Sequence, residues 1–189
     1  MSEKNKSKEK LIETASRLFR IRGYYGVGLN DIIEESGIPK GSLYHYFPKG
    51  KEQLAIEAIN HTKEIVVSEI QGLFDLIEDP IKAIQTHVYQ LSKVFSGDND
   101  TGFPIGTIAG ETYSTNEPIR NACELAINEW QNMFFDKLLT SGYSEKQASE
   151  LGISITALLE GGILLSLTSK SGKPLGAISN QIPLFLRKE

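Results

Sequence analysis

Residues 23–54 read GYYGVGLNDIIEESGIPKGSLYHYFPKGKEQL, and this stretch decides the fold. Leu29, Ile32 and Ile33 make a short apolar face that Ser36-Gly37 ends. Ile38 plugs the turn, and Pro39 stands at the first turn of a second short helix, where its missing N–H is not needed. Leu43 and Phe47 are four residues apart and turn inward with Ile38, leaving Lys40, Ser42, Tyr44 and His45 on the outward side. Two short helices joined by a tight turn, the second presenting basic and hydroxyl side chains, predict a helix-turn-helix. Gly41 is a poor helix former. Its use there is to let the backbone approach the floor of a DNA major groove.

Working outward, Lys8 to Arg22 places Leu11, Ile12, Ala15, Leu18, Phe19 and Ile21 at mostly three-to-four spacing, which predicts an amphipathic first helix closed by Gly23. Gly28 fits the N-cap of the next helix, and Asp31 adds negative charge to its first turn. After Phe47, Pro48 stops the reading helix, and Lys49-Gly50-Lys51 forms a basic bend. A long helix then runs from Glu52 toward Phe74, a lever leaving a small basic module. Helices are predicted for Ile81–Phe95, Pro104–Ser114, Glu117–Leu139, from Ser144 to Lys170, and Leu175–Leu186. Ser96 to Asp100 reads as a loop. Gly102, Gly106 and Gly110 at four-residue spacing predict close helix packing. No alternating strand pair and no internal repeat is present, so the fold class is all-α. The division is residues 1–51 as a helix-turn-helix DNA-binding domain and 52–189 as a ligand-binding and dimerisation domain.

Charge supports the division. Met1 to Lys51 holds ten Lys/Arg against six Asp/Glu, a balance of +4, while the remainder holds ten against eighteen, a balance of −8. A basic first quarter on an acidic body confines polyanion binding to the N-terminal module. The single cysteine, Cys123, excludes an intramolecular disulfide and reads as an inert helix residue; no Cys/His spacing fits a metal site, and no cofactor motif is present. The opening MSEKNKSKEK has no apolar run of signal-peptide length, so the cytoplasm is the expected location. Leu151 to Thr168 is apolar enough to approach a bilayer span, but Glu160 and two glycines near its middle favour a buried or interface helix.

The strings LIETASRLFRIRGYYG, DIIEESGIPKGSLYHYF and KEQL together resemble the TetR family of bacterial transcriptional repressors over roughly the first 55 residues. Gly50, an extra residue between Phe47 and the following Lys-Glu, and the segment GFPIGTIAGET resemble the LmrA/YxaF-like branch, where a cysteine often takes the place of Phe103. Gly28 stands where a hydroxyl residue commonly caps the second helix elsewhere in the family. The resemblance implies that Tyr44, His45 and Lys51 touch the DNA backbone and that Lys40 and Ser42 lie where bases are read. With Gly28, Asn30, Gly41 and Lys49 they make the expected DNA-binding set.

For the body, the resemblance implies a homodimer joined by its last two helices in a four-helix interface. Ile153, Ala157, Gly161, Leu164 and Thr168 give the smooth strip such packing needs. It also implies a small-molecule effector, and related repressors respond to flat aromatic compounds. Phe95, Phe103, Tyr113, Trp130, Met133 and Phe134 would form an apolar lining, with His87, Tyr89 and Glu160 as polar handles. The same stripe is also the ordinary sequence form of a helical core. The expected function is a ligand-responsive repressor that binds a palindromic operator and is not an enzyme. Its rivals are an adaptor that uses the module for protein contact, and a small all-α enzyme using His87, Glu111 or Glu160, which lack a recognisable catalytic spacing.

Overall fold

The computed structural model describes residues 3–95 and 105–187, with side chains from Lys6 onward. Among these residues there are nine α-helices and no strand: α1 Glu3–Arg22, α2 Leu29–Ser36, α3 Lys40–Tyr46, α4 Lys51–Leu76, α5 Pro80–Val94, α6 Ile105–Thr112, α7 Glu117–Thr140, α8 Glu145–Ser169 and α9 Lys173–Phe185. The chain is all-α, as the apolar periodicity predicts.

Local chemistry explains several boundaries. Asp79 caps α5, accepting from the N–H groups of Ile81 and Lys82, with Pro80 in the first turn. Ser144 and Gln147 form a reciprocal capping box at α8: the Gln147 N–H donates to Ser144 Oγ and the Ser144 N–H to Gln147 Oε1. At the end of α2, Gly37 takes a left-handed φ of 66° and returns its N–H to Ile33.

Two compact units divide the chain, Met1–Ile65 with Ile105–Ala126 and Val66–Pro104 with Ile127–Glu189. In the first, Leu11, Ala15, Phe19, Ile32, Leu43, Phe47, Leu54 and Ile59 are buried. In the second, Ile84, Val88, Phe134, Leu138, Ile155, Leu175 and Ile182 belong to one core. There α5 and α9 are tied by a reciprocal pair, Gln85 Nε2 to Ser179 O at 3.1 Å and Ser179 Oγ to Gln85 O at 3.0 Å.

Several local expectations need correction. Helix α1 begins at Glu3 rather than Lys8, because lysine and glutamate sustain a helix without adding to its apolar face. Ile21 is 46% exposed, so it is not core. Leu29 and Ile33 are only half-buried, and Ile32 and Ser36 are the residues α2 buries. A side chain at Gly110 would meet nothing within 4 Å, so close packing does not explain that glycine. His61 is half-buried, and its buried Nδ1 has no hydrogen-bond partner among the described residues. The expected loop from Ser96 to Asp100, and Gly102, lie outside the described residues.

Candidate nucleic-acid interface and body

The reading helix is set from below. Leu43 and Phe47 are fully buried, and Ser42 and Leu43 donate their N–H groups to Pro39 O at 2.9 and 3.2 Å. That anchoring leaves Lys40, Gly41 and His45 exposed, Tyr44 exposed at 43% and Ser42 half-buried. A Cβ at Gly41 would meet nothing within 4 Å, so no contact inside this chain requires the glycine. Gly28 and Asn30 are exposed at the start of α2. Gly28 caps through its backbone, donating its N–H to Asp31 Oδ2 at 2.6 Å.

The corner into α4 depends on Gly50. Its φ is +68°, its N–H donates to Phe47 O at 2.8 Å, and its carbonyl accepts from Leu54 N–H at 3.1 Å. The left-handed backbone, not lack of room, is what calls for glycine, since a Cβ would find only ordinary contacts with Leu29 and Tyr44. Beside it Lys49 is exposed, while its N–H donates to Gln53 Oε1. Lys51 is half-buried, with Nζ 4.1 Å from the Tyr24 ring centroid and 5.9 Å from that of Tyr25. Burial pushes the Lys51 ammonium pKa down, and the Glu111 and Asp31 carboxylates push it back up. All nine expected DNA-contacting residues lie in the first compact unit.

The expected ligand residues are distributed less simply. His87 and Phe134 are buried together with rings 6.2 Å apart, and Phe74 meets Phe134 edge-on at 6.0 Å. Phe95 is buried, and Glu160 is half-buried. Trp130 is 8% exposed, and its indole Nε1 has no hydrogen-bond partner among the described residues. Met133 lines an open cleft of about 280 Å³ with Gln71, Phe74, Asp75, Asp136 and Lys137. Tyr113 is 69% exposed and belongs to the first unit, and Tyr89 is exposed. Phe103 lies outside the described residues.

His87 has a measurable consequence. Burial lowers its pKa from 6.5 to about 4. Below pH 6.5 the unfolded chain takes up a proton that the folded chain refuses, so stability is lost as pH falls from about 6.5 toward 4. Between pH 7 and pH 5 this amounts to about 2 kcal/mol. Urea denaturation at the two pH values should show that loss, and His87→Gln should remove it; an unchanged slope in the variant would refute the assignment.

Two features carry no sequence signal. Lys137 Nζ donates to the carbonyls of Phe74 and Ile77 at 2.7 Å each, closing the end of α4 from a helix about sixty residues away. Glu111 Oε2 accepts the N–H groups of Tyr24 and Tyr25. Only tertiary placement reveals either contact. The cysteine at 123 is buried, in keeping with its reading as a helix residue.

Comparison with known proteins converges on one family. Residues 11–58 match the bacterial regulatory proteins of the tetR family. Residues 80–181 match the C-terminal domain of LmrA/YxaF-like transcriptional regulators. The chain is 45% identical to the uncharacterized HTH-type transcriptional regulator YxaF of Bacillus subtilis, over 100% of both chains. It is 48% identical to the HTH-type transcriptional regulator LmrA of Bacillus subtilis, over 96% of this chain and 97% of that one. A TetR transcriptional regulator from Chloroflexus aurantiacus shares the fold at a TM-score of 0.84 and 23% identity, covering 98% and 96% of the two chains. Reduced Escherichia coli NemR does so at 0.81 and 23%, covering 94% and 95%.

Proposed function

The chain belongs to the TetR family of bacterial transcriptional regulators, in its LmrA/YxaF-like branch, and from that premise we propose a repressor that grips a palindromic operator as a homodimer and leaves it when a small apolar or aromatic effector binds. It is a regulator, not an enzyme. The observation that carries the reading is the outward face of α3, where Lys40, Gly41, Tyr44 and His45 are exposed on a helix fixed by buried Leu43 and Phe47. Lys40 and Ser42 read bases; Tyr44, His45, Lys49 and Lys51 hold phosphates, with Gly28 and Asn30 at the start of α2. Residues 1–51 do this work, and 52–189 dimerise and sense. The cytoplasm, where the chromosome is, is the site of action.

Dimerisation is supported by what α8 leaves uncovered. This helix is long and apolar enough to cross a membrane by length and composition, with 39% of its most apolar window buried. Yet Ile153, Ala157, Gly161, Leu164 and Thr168 are exposed on one strip, and a second copy is the occupant we assign to it. Groove-reading modules need partners held about 34 Å apart, one DNA turn. The effector is assigned to the apolar surroundings of His87, Trp130 and Phe134, and it shifts the orientation of α4, which contributes to both compact units.

Gel retardation with duplexes selected from random DNA tests the reading. For about six phosphate contacts, affinity should fall roughly 10³-fold between about 50 and 200 mM salt. Absence of retention at low salt would overturn it. By linkage, any compound that releases DNA must itself bind more weakly, by the same factor, when the duplex is present. Equal effector affinity with and without duplex would refute the release mechanism.

A further inference from the structure

The first compact unit contains a segment from far along the chain. Glu111, near the end of α6, accepts on Oε2 the N–H of Tyr24 at 2.7 Å and that of Tyr25 at 3.2 Å. The Tyr25 hydroxyl lies 2.6 Å from Thr115 Oγ1. Asn116 Nδ2 donates to Glu52 Oε2 at 2.8 Å, and Asn116 Oδ1 accepts the Ile119 N–H that opens α7. These contacts hold the α1–α2 turn and the first turn of α4, which flank α2 and α3 in the chain. Gly23 is part of the fit, since its φ is +70° and a Cβ there would collide with the Glu111 carboxylate. Successive backbone N–H groups beside a left-handed residue form a concavity suited to an anion, and Glu111 fills it.

We propose that Glu111 is a positioning residue of the DNA reader: by holding the Tyr24 and Tyr25 backbone while Asn116 holds Glu52, α6 and the turn after it fix where Lys51 and α3 meet the duplex. The relay is short. Glu111 places the Tyr24 backbone, the Tyr24 ring carries Lys51 Nζ at 4.1 Å, and Lys51 opens α4 at its positive dipole end, where phosphate is favoured. The inference rests on the DNA-binding reading above and adds to it a residue from the C-terminal family match, 80–181, rather than from the N-terminal one, 11–58.

Electrostatics supplies a sharp test, because a carboxylate near a DNA-binding face repels phosphate. If Glu111 is a bystander, removing its charge tightens binding to every duplex. If it positions the reader, Glu111→Ala weakens binding to a selected duplex by about tenfold, the scale of one lost charge-assisted hydrogen bond. An unselected duplex of equal length loses less, because there only the Lys51 phosphate contact and not the base contacts of α3 is at stake. Glu111→Gln, whose amide oxygen still accepts an N–H, recovers most of the loss. Fluorescence anisotropy on full-length protein with both duplexes reads these ratios, and circular dichroism confirms folding. Selected-duplex binding that is unchanged or tighter in Glu111→Ala, equal weakening on both duplexes, or no recovery in Glu111→Gln overturns the proposal. Should Glu111→Ala fail to fold, Tyr25→Phe, which loses only the hydroxyl facing Thr115, is expected to weaken the selected duplex by about threefold and an unselected one by less; unchanged binding overturns the proposal. Wild-type protein that selects no duplex sinks the DNA-binding reading instead.

Discussion

Replacing Lys40 and Tyr44 together by alanine is expected to weaken operator binding by about 10³-fold while leaving the fold intact. Both side chains are exposed, so truncation removes little from the protomer's packing, and surface changes of this kind usually cost under about 0.5 kcal/mol. On DNA the balance differs. Two contacts per protomer at about 1 kcal/mol each, doubled by twofold symmetry, come to about 4 kcal/mol, which is about 10³ in affinity. The effect should also be unequal across sequences, since losing a base-reading lysine relaxes specificity while losing a phosphate contact weakens all duplexes alike. Anisotropy against selected and unselected duplexes measures both. A folded double variant with undiminished affinity would remove α3 as the reader.

The second large effect belongs to the other end of the chain. On the homodimer proposed above, Leu164→Glu is expected to give a monomer with strongly weakened operator binding. Leu164 is 61% exposed in the protomer, so a carboxylate there is solvated in the single chain. Across a twofold axis it would be buried twice, unpaired, at several kcal/mol per copy. The neighbouring glycines explain why this surface suits such contact. A Cβ on Gly162 would press on Ile178 and Leu175 at 2.6 and 2.8 Å, whereas one on Gly161 would meet nothing within 4 Å. Gly162 thus lets α8 lie close on the Ile178 and Leu175 side chains of α9, and Gly161 leaves the exposed strip flat enough for the second copy proposed above. Sedimentation equilibrium reads the state directly; a variant that stays dimeric with wild-type operator affinity would place the interface elsewhere.

How much of this was legible beforehand follows from the range of each interaction. The stops and starts at Gly37, Asp79-Pro80 and Ser144 act within four residues, so spacing alone exposes them. The buried faces of α1 and α3 repeat within one or two turns and are read the same way. Ile21 has the right spacing for the core yet is exposed, because an apolar residue can lie at the rim of a stripe. The contacts of Glu111 and Lys137 are not legible in the sequence, since each partner is a backbone group more than fifty residues away. The ligand lining is only partly gathered, with His87 and Phe134 together in the core of the second unit and Tyr113 exposed in the first. Aromatic spacing along one helix does not say which side of it faces a void.

The contact between Glu111 and the Tyr24–Tyr25 backbone also bears on how the protein is born. A ribosome delivers α1, α2, α3 and the start of α4 some sixty residues before it delivers Asn116, an interval of about 3–12 s at ordinary rates of synthesis. During that interval the nascent reader has its helices but not the distant residues that brace them. A chain ending short of α6 lacks Glu111 and Asn116, and on the positioning role proposed for them it is expected to compete poorly for an operator.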